Sequence, residues 1–109
     1  MAKAEIDAGV CGYVTHVNGL SDDQQNVTLE VNSSCEKIDK LGQMLQEHGH
    51  IDAYQEIGLG AEGVLLRTVR EALTGCCAGC AVPVGLFKVL QISAGLALPK
   101  DITICLSKE

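Results

Sequence analysis

The chain has 109 residues with 14 Asp or Glu and 8 Lys or Arg, so its formal net charge at pH 7 is -6. This acidic balance excludes nucleic acids and anionic membranes as expected partners, because both are bound through positively charged surfaces. Apolar residues make up 47 % of the chain and aromatic residues 3 %, which predicts a single domain, 1–109, with an aliphatic core. The six cysteines are the largest departure from ordinary composition.

The N-terminal third of the chain predicts a β-hairpin. The first eight residues are interpreted as a short lead-in, and Gly9–Asn18 predicts a strand because it is rich in Val, Thr and Tyr. Gly19–Gln25 is polar and predicts a loop. Val27, Leu29 and Val31 alternate with polar residues, which predicts a second strand that pairs with the first in an antiparallel arrangement.

The middle of the chain predicts two helices. Ser33 and Glu36 fit a capping box, so a first helix is expected to start there and to end at Gly49. His50–Gly60 predicts a short helical turn followed by a loop. Ala61–Leu73 carries apolar residues on one side and charged residues on the other, which predicts a second, amphipathic helix.

The C-terminal part predicts a central helix and a last strand. Pro83 suits the first turn of this third helix, which is apolar on nearly all sides and ends at Gly95. The alternation of apolar and polar residues over 102–107 predicts the strand. The expected fold is therefore α+β, a small antiparallel sheet covered by three helices in the order β-β-α-α-α-β.

The cysteine content also bears on the cellular compartment. An even number of cysteines in a short chain raises the alternative of a disulfide scaffold. The N-terminus lacks the apolar segment of a secretory signal, and the chain is apolar enough to bury a core without disulfides. Val82–Leu98 is too short and too interrupted by polar residues to span a bilayer. We therefore expect a cytoplasmic protein whose reduced thiols serve metal binding or redox chemistry.

Four cysteines lie at positions that favour ligation. Cys35 falls in the first turn of the first predicted helix and Cys80 just before the third, where the helix macrodipole favours a thiolate. Cys77 and Cys80 have the Cys-x-x-Cys spacing that lets two sulfurs reach one metal or cluster. Cys11, in the first predicted strand, joins them if the helix starts face it across the hairpin.

The remaining cysteines and the histidines have simpler interpretations. A free cysteine also behaves as a small buried hydrophobe. This interpretation is preferred for Cys105, on the face of the last predicted strand opposite its apolar residues, and it competes evenly with ligation for Cys76. His16, His48 and His50 are interpreted as surface or capping residues.

Several segments carry a family resemblance. They are Gly9-Val10-Cys11-Gly12, Asn32-Ser33-Ser34-Cys35-Glu36, Cys80-Ala81-Val82-Pro83 and Gly95-Leu96-Ala97-Leu98-Pro99-Lys100-Asp101. Over nearly the whole chain they resemble a family of small proteins of unknown function from anaerobic bacteria and archaea. In that family the position of Cys77 is often a His, an exchange that metal ligands allow. The resemblance therefore implies that Cys77 and Cys80 are ligands, with Cys11 and Cys35 as their partners.

Three functional hypotheses involve these cysteines. The first is an iron–sulfur cluster held by Cys11, Cys35, Cys77 and Cys80, which serves electron transfer or cluster carriage. The second is a structural zinc site with the same four ligands. The third is a thiol–disulfide oxidoreductase in which Cys77 is the nucleophile and Cys80 the resolving thiol.

The alternative without chemistry is an α+β domain whose thiols are inert. Two kinds of protein partner are expected. A redox role requires a redox partner protein. The mean hydropathy of +0.20 is high for a small acidic chain, which predicts a homodimer that covers the excess apolar surface.

Overall fold

The strands form one antiparallel sheet in sequence order. The computed structural model describes residues 1–76 and 79–109. The strands are β1 (Ala2–Asp7), β2 (Val14–Leu20), β3 (Asn26–Ser33) and β4 (Ile51–Asp52), arranged β1-β2-β3-β4. Thr15 of β2 pairs with Ile6 of β1 on one side and with Ser33 of β3 on the other. We call the end of the sheet at which these three residues lie the Thr15 end.

The two central strands bury one face, as the sequence alternation requires. The buried residues are Thr15, Val17 and Gly19 in β2 and Val27, Leu29 and Val31 in β3. Successive side chains of a strand point to opposite faces, so these residues share the face that packs on the helices. The opposite face is left to solvent, which an antiparallel sheet tolerates.

The helices cover that buried face. They are α1 (Glu36–His48), α2 (Ala53–Leu59), α3 (Val64–Ala72) and α4 (Val82–Ser93), with a 3-10 turn at Gly60–Glu62. α1 packs on β3, α4 packs on β1 and β2, and α3 contacts both α1 and α4. The core is aliphatic, as the composition predicts. No helix within residues 1–76 and 79–109 is long and apolar enough to cross a membrane.

Glycines set the position of α4 on the sheet. A Cβ atom on Gly85, in the first turn of α4, would overlap the side chain of Ile6. A Cβ atom on Gly19 would overlap Ser93, in the last turn of α4, and Val89. α4 therefore runs antiparallel to β1, and its N-terminus lies at the Thr15 end of the sheet.

The close approach of β2 and α4 predicts that Gly19→Ala destabilises the fold by about 1–3 kcal/mol, the usual range for overpacking. The new Cβ would lie 2.7 Å from Val89 Cγ1, so the strand and the helix must separate. Urea unfolding measures the loss. Gly58→Ala is the matched control, because nothing lies within 4 Å of the new Cβ in that exposed turn of α2. Equal stability of the two variants would mean that β2 and α4 are not in close contact.

A buried carboxylate joins α2 to α3. Glu56 is 2 % exposed, although it lies on a short surface helix. Its two carboxylate oxygens accept the backbone N–H groups of Val64 at 3.0 Å and Leu65 at 2.6 Å. These groups belong to the first turn of α3, where backbone donors have no partner within the helix. Gly63 packs directly against the carboxylate, which leaves no space for a side chain there.

The α+β class and the antiparallel sheet are confirmed, but the predicted order β-β-α-α-α-β is wrong. Within residues 1–76 and 79–109 the observed order is β-β-β-α-β-α-α-α, with four α-helices instead of three. The predicted lead-in forms β1, and the predicted first strand begins only at Val14. The segment His50–Gly60, predicted as a turn and a loop, forms β4 and α2. The capping box is also wrong, because Cys35 is the N-cap residue of α1.

The predicted last strand is the second correction. Residues 98–109, all of which the structure describes, form neither a helix nor a strand. They extend from the end of α4 with their apolar residues exposed. A strand requires a neighbour that accepts and donates its backbone hydrogen bonds. The alternation over 102–107 is therefore present in the sequence without a pairing partner in the described chain.

Candidate thiol site

Three cysteines lie on separate segments that meet at the Thr15 end of the sheet. Cys11 lies in the turn 8–13 that joins β1 to β2. Cys35 follows β3 directly and precedes α1. Cys80 lies just before α4, whose first turn packs over Ile6. The antiparallel register and the direction of α4 thus bring together residues that are far apart in the sequence.

Glycines shape the turn that carries Cys11. Gly9 and Gly12 adopt φ values of 86° and 76°, a region that side chains with a Cβ rarely occupy. The Gly12 N–H donates to the Gly9 carbonyl at 2.9 Å, and the Gly9 N–H donates to the Asp7 carboxylate at 2.9 Å. Cys11 is exposed between the two glycines. The prediction that Cys11 lies in a strand is wrong, and the turn explains its exposure.

Cys35 caps α1 without using its sulfur. Its backbone is extended, with φ -81° and ψ 120°, and its side chain accepts no capping hydrogen bond in the described structure. The Cys35 N–H donates to Ser33 Oγ at 3.1 Å, and the Thr15 hydroxyl donates to the same oxygen at 2.8 Å. These bonds fix the backbone of Cys35. The half-buried sulfur stays available at the positive end of α1.

The pKa of the Cys80 thiol records its surroundings. Burial raises this pKa, and a hydrogen bond from the Val82 N–H lowers it in part. Repulsion by the thiolates of Cys76, Cys11 and Cys35 raises it further. A bound cation would lower this pKa and so counteract the effects of burial and repulsion, since metals deprotonate a coordinating thiol.

Cys76 is the residue that sequence reasoning underestimated. Lys37, in the first turn of α1, donates to the Thr74 carbonyl at 2.9 Å and so holds the end of α3 against the start of α1. The Cys76 N–H donates to the Leu73 carbonyl at 2.9 Å, which leaves the exposed Cys76 beside this contact. No pattern in the sequence predicted the contact between Lys37 and Thr74 beside Cys76, because this contact depends on tertiary packing.

The other predicted site residues are not part of this arrangement. Cys77, a predicted ligand, lies outside the described residues. Cys105 lies on the exposed C-terminal segment, so its predicted place on a strand is wrong. Within 1–76 and 79–109, no three Cys, His, Asp or Glu side chains lie close enough together to hold one metal ion. The described thiols therefore do not form a metal-binding group in this structure.

A second polar cluster lies at the opposite end of the sheet and has a structural explanation. Asp23 accepts the Asn26 Nδ2 at 2.9 Å and the backbone N–H groups of Asn26 and Gln25 at 2.8 and 3.0 Å. The hydrogen bonds from Asn26 and Gln25 hold the pKa of Asp23 well below its usual range. This carboxylate is committed to the turn between β2 and β3, so we do not assign it to a ligand site.

The comparisons with known proteins identify a family without an assigned activity. The chain matches the model of a family of unknown function, DUF6951, over residues 2–106. The match spans every strand and helix of the fold and the segments that carry Cys11, Cys35 and Cys80. The comparisons found no match among curated proteins and none among solved structures. The chain therefore belongs to the DUF6951 family of unknown function.

Proposed function

We propose that the protein binds an iron–sulfur cluster at the Thr15 end, through Cys11, Cys35, Cys77 and Cys80. The observation that carries the proposal is the meeting of Cys11, Cys35 and Cys80 at this end from three separate segments. Cysteine thiolates are the usual ligands of such clusters. Cys77 would complete the set through its Cys-x-x-Cys spacing with Cys80.

The helix termini support a negatively charged group at this end. α1 starts at Cys35 and α4 starts just after Cys80, and both starts lie at the Thr15 end. The positive end of a helix dipole and its unpaired N–H groups stabilise thiolates and anionic groups. The Val82 N–H already donates a hydrogen bond to the Cys80 sulfur. These donors would offset part of the charge of four thiolates.

We prefer a cluster to a single zinc ion as the occupant of the site. A tetrahedral zinc ion needs its four sulfurs around one atom, whereas the thiolates of a cluster bind different irons and stay further apart. Among residues 1–76 and 79–109, no three Cys, His, Asp or Glu side chains form a group around one ion. The aliphatic core is built from both the sheet and the helices, so the fold has no evident need of a structural zinc ion.

The exposure of the site favours cluster carriage over buried electron transfer. Cys11 and Cys76 are exposed, and Cys11 lies on a turn with two glycines of positive φ. A cluster held there would be accessible to the thiols of an acceptor protein. We propose such an acceptor as the redox partner protein. The resemblance to proteins of anaerobic bacteria and archaea supports the cytoplasm of an anaerobe as the setting.

The thiol–disulfide oxidoreductase has less structural support. A thioredoxin-like Cys-x-x-Cys motif follows a strand within a βαβ unit. Here the regular element before Cys77 and Cys80 is α3, which ends at Ala72. The described sheet is antiparallel throughout. The motif therefore lacks the structural context of that enzyme class.

Anaerobic reconstitution of the full chain with ferrous iron and sulfide tests the proposal. We expect a coloured protein that contains iron and sulfide in equal amounts and keeps both after desalting. The measurements are iron and sulfide analysis and the visible absorption spectrum. A colourless product without iron would contradict the proposal. A chain that does not bind iron but retains zinc under the same conditions would support the zinc alternative instead.

A further inference from the structure

The C-terminal segment 97–109 is an apolar strand sequence that is left uncovered. It follows α4, and all of its large apolar residues are exposed, with Leu98 at 87 %, Ile102 at 53 %, Ile104 at 67 % and Leu106 at 90 %. Isolated apolar residues on a surface are ordinary, but a row of them marks an interaction site. Their alternation with polar residues is typical of a strand with one covered face.

The free edge of β1 provides a place for such a strand. The order β1-β2-β3-β4 makes β1 an edge strand, with β2 as its neighbour. An edge strand presents unpaired N–H and C=O groups that can pair with another extended segment. β1 has six residues, the same length as the alternating segment Ile102–Ser107.

The faces of the two segments are also complementary. On β1, Ala2 is buried, and Ala4 and Ile6 pack against the core under α4. Lys3, Glu5 and Asp7 occupy the exposed face. The side-chain period of two allows Ile102, Ile104 and Leu106 to extend the apolar face, while Thr103, Cys105 and Ser107 extend the polar face. The small side chains of Ala2 and Ala4 leave space beside them for larger ones.

Going beyond the proposed function, we propose that two copies of the chain form a symmetric homodimer by exchanging these segments. Residues 102–107 of each copy add a strand to the β1 edge of the other copy. One chain supplies both halves of the contact, an uncovered edge and an uncovered apolar segment. The family match over residues 2–106 includes β1 and all but the last residue of this segment, so the segment belongs to the shared domain.

The position of the exchange is compatible with the thiol site. α4 ends over Gly19, which pairs with Ala2. The C-terminal segment therefore starts at the end of the sheet opposite the Thr15 end. Reciprocal exchange closes the contact after two copies, since each copy offers one segment and one β1 edge. Cys11, Cys35 and Cys80 lie outside both β1 and the exchanged segment.

Point variants of the full chain test the exchange by sedimentation equilibrium. We expect the unaltered chain to have twice the monomer mass of 11.5 kDa. Ile104→Lys combined with Leu106→Lys is expected to give a monomer at the same concentration, because the charges would enter the covered face. The matched control is Thr103→Lys with Ser107→Lys, which adds the same charge to the polar face and is expected to remain dimeric.

Amide hydrogen exchange gives a second, independent measurement. The amides of β1 that face away from β2 are expected to be protected in the dimer and to lose at least tenfold protection in the Ile104→Lys, Leu106→Lys variant. A monomeric unaltered chain would overturn the proposal, and protected β1 amides in that monomer would show that each segment pairs with its own β1. A dimer that persists in the apolar-face variant would also overturn it. Iron binding is expected to be unchanged in both variants, which separates this proposal from the cluster proposal.

Discussion

Replacement of both Cys35 and Cys80 by serine is expected to abolish cluster binding in anaerobic reconstitution. These half-buried thiols lie at the starts of α1 and α4, and the backbone of Cys35 is fixed by its hydrogen bond to Ser33. A serine hydroxyl does not replace a thiolate as a ligand of iron. The loss of iron affinity should exceed the roughly 10- to 100-fold effect of altering groups around a metal ligand.

Cys105→Ser is the matched control for the double variant. Cys105 is equally a free thiol, but it lies on the exposed C-terminal segment. We expect this variant to bind as much iron and sulfide as the unaltered chain, and circular dichroism should show the same fold for both variants. A double variant that is folded and keeps its full iron content would contradict the proposed site.

Single variants then distinguish Cys76 from Cys77 as the fourth ligand. The sequence and the resemblance favour Cys77, whereas Cys76 is the exposed cysteine beside the contact between Lys37 and Thr74. We expect Cys77→Ser to lower the iron content and Cys76→Ser to leave it nearly unchanged. The reverse result would keep the site and exchange one ligand.

Removal of the buried carboxylate is expected to cause the largest loss of stability. Glu56→Ala would leave the N–H groups of Val64 and Leu65 without their acceptor at the start of α3. A hydrogen bond to a charged group contributes about 1.5–3 kcal/mol, so we expect the loss of two such bonds to lower the free energy of unfolding by about 3–6 kcal/mol. That is a large part of the roughly 5–15 kcal/mol that stabilises an ordinary domain. Chemical denaturation measures the difference.

Two other variants make the Glu56 prediction specific. Glu56→Gln keeps one acceptor oxygen and is expected to lose about half as much stability. Glu62→Ala removes an exposed carboxylate whose ion pair with Arg70 spans 3.9 Å, and it should change stability by less than about 1 kcal/mol. If Glu56→Ala proves as stable as Glu62→Ala, the carboxylate does not anchor α3.

The sequence predicts the elements whose pattern reflects burial. The alternation of Val27, Leu29 and Val31 identifies β3, and the end of α1 at Gly49 follows from the glycine, whose φ is 86°. β1 escapes prediction because its buried positions are mostly alanines, which give a weak hydrophobic signal. The segment 102–107 has the stronger pattern, yet a strand also requires a pairing partner, which no local pattern supplies.

The sequence predicts where single cysteines lie relative to helix starts, but it does not predict how the segments that carry them come together. The relation of Cys35 and Cys80 to helix starts is a local property, so the sequence identifies it correctly. Cys11 is assigned to a strand because the positive φ values of Gly9 and Gly12 cannot be inferred from composition. The position of Cys76 beside the start of α1 depends on the contact between Lys37 and Thr74, which joins distant parts of the chain.

The packing of α4 on β1 has a consequence for biosynthesis. It joins the first strand of the chain to its last helix, so the two meet only after almost the whole chain has left the ribosome. A nascent chain that ends within α3 holds Cys11 and Cys35 without Cys80. Contacts between such distant segments also form slowly during folding. Insertion of the proposed cluster would therefore require that Cys80 and α4 have left the ribosome.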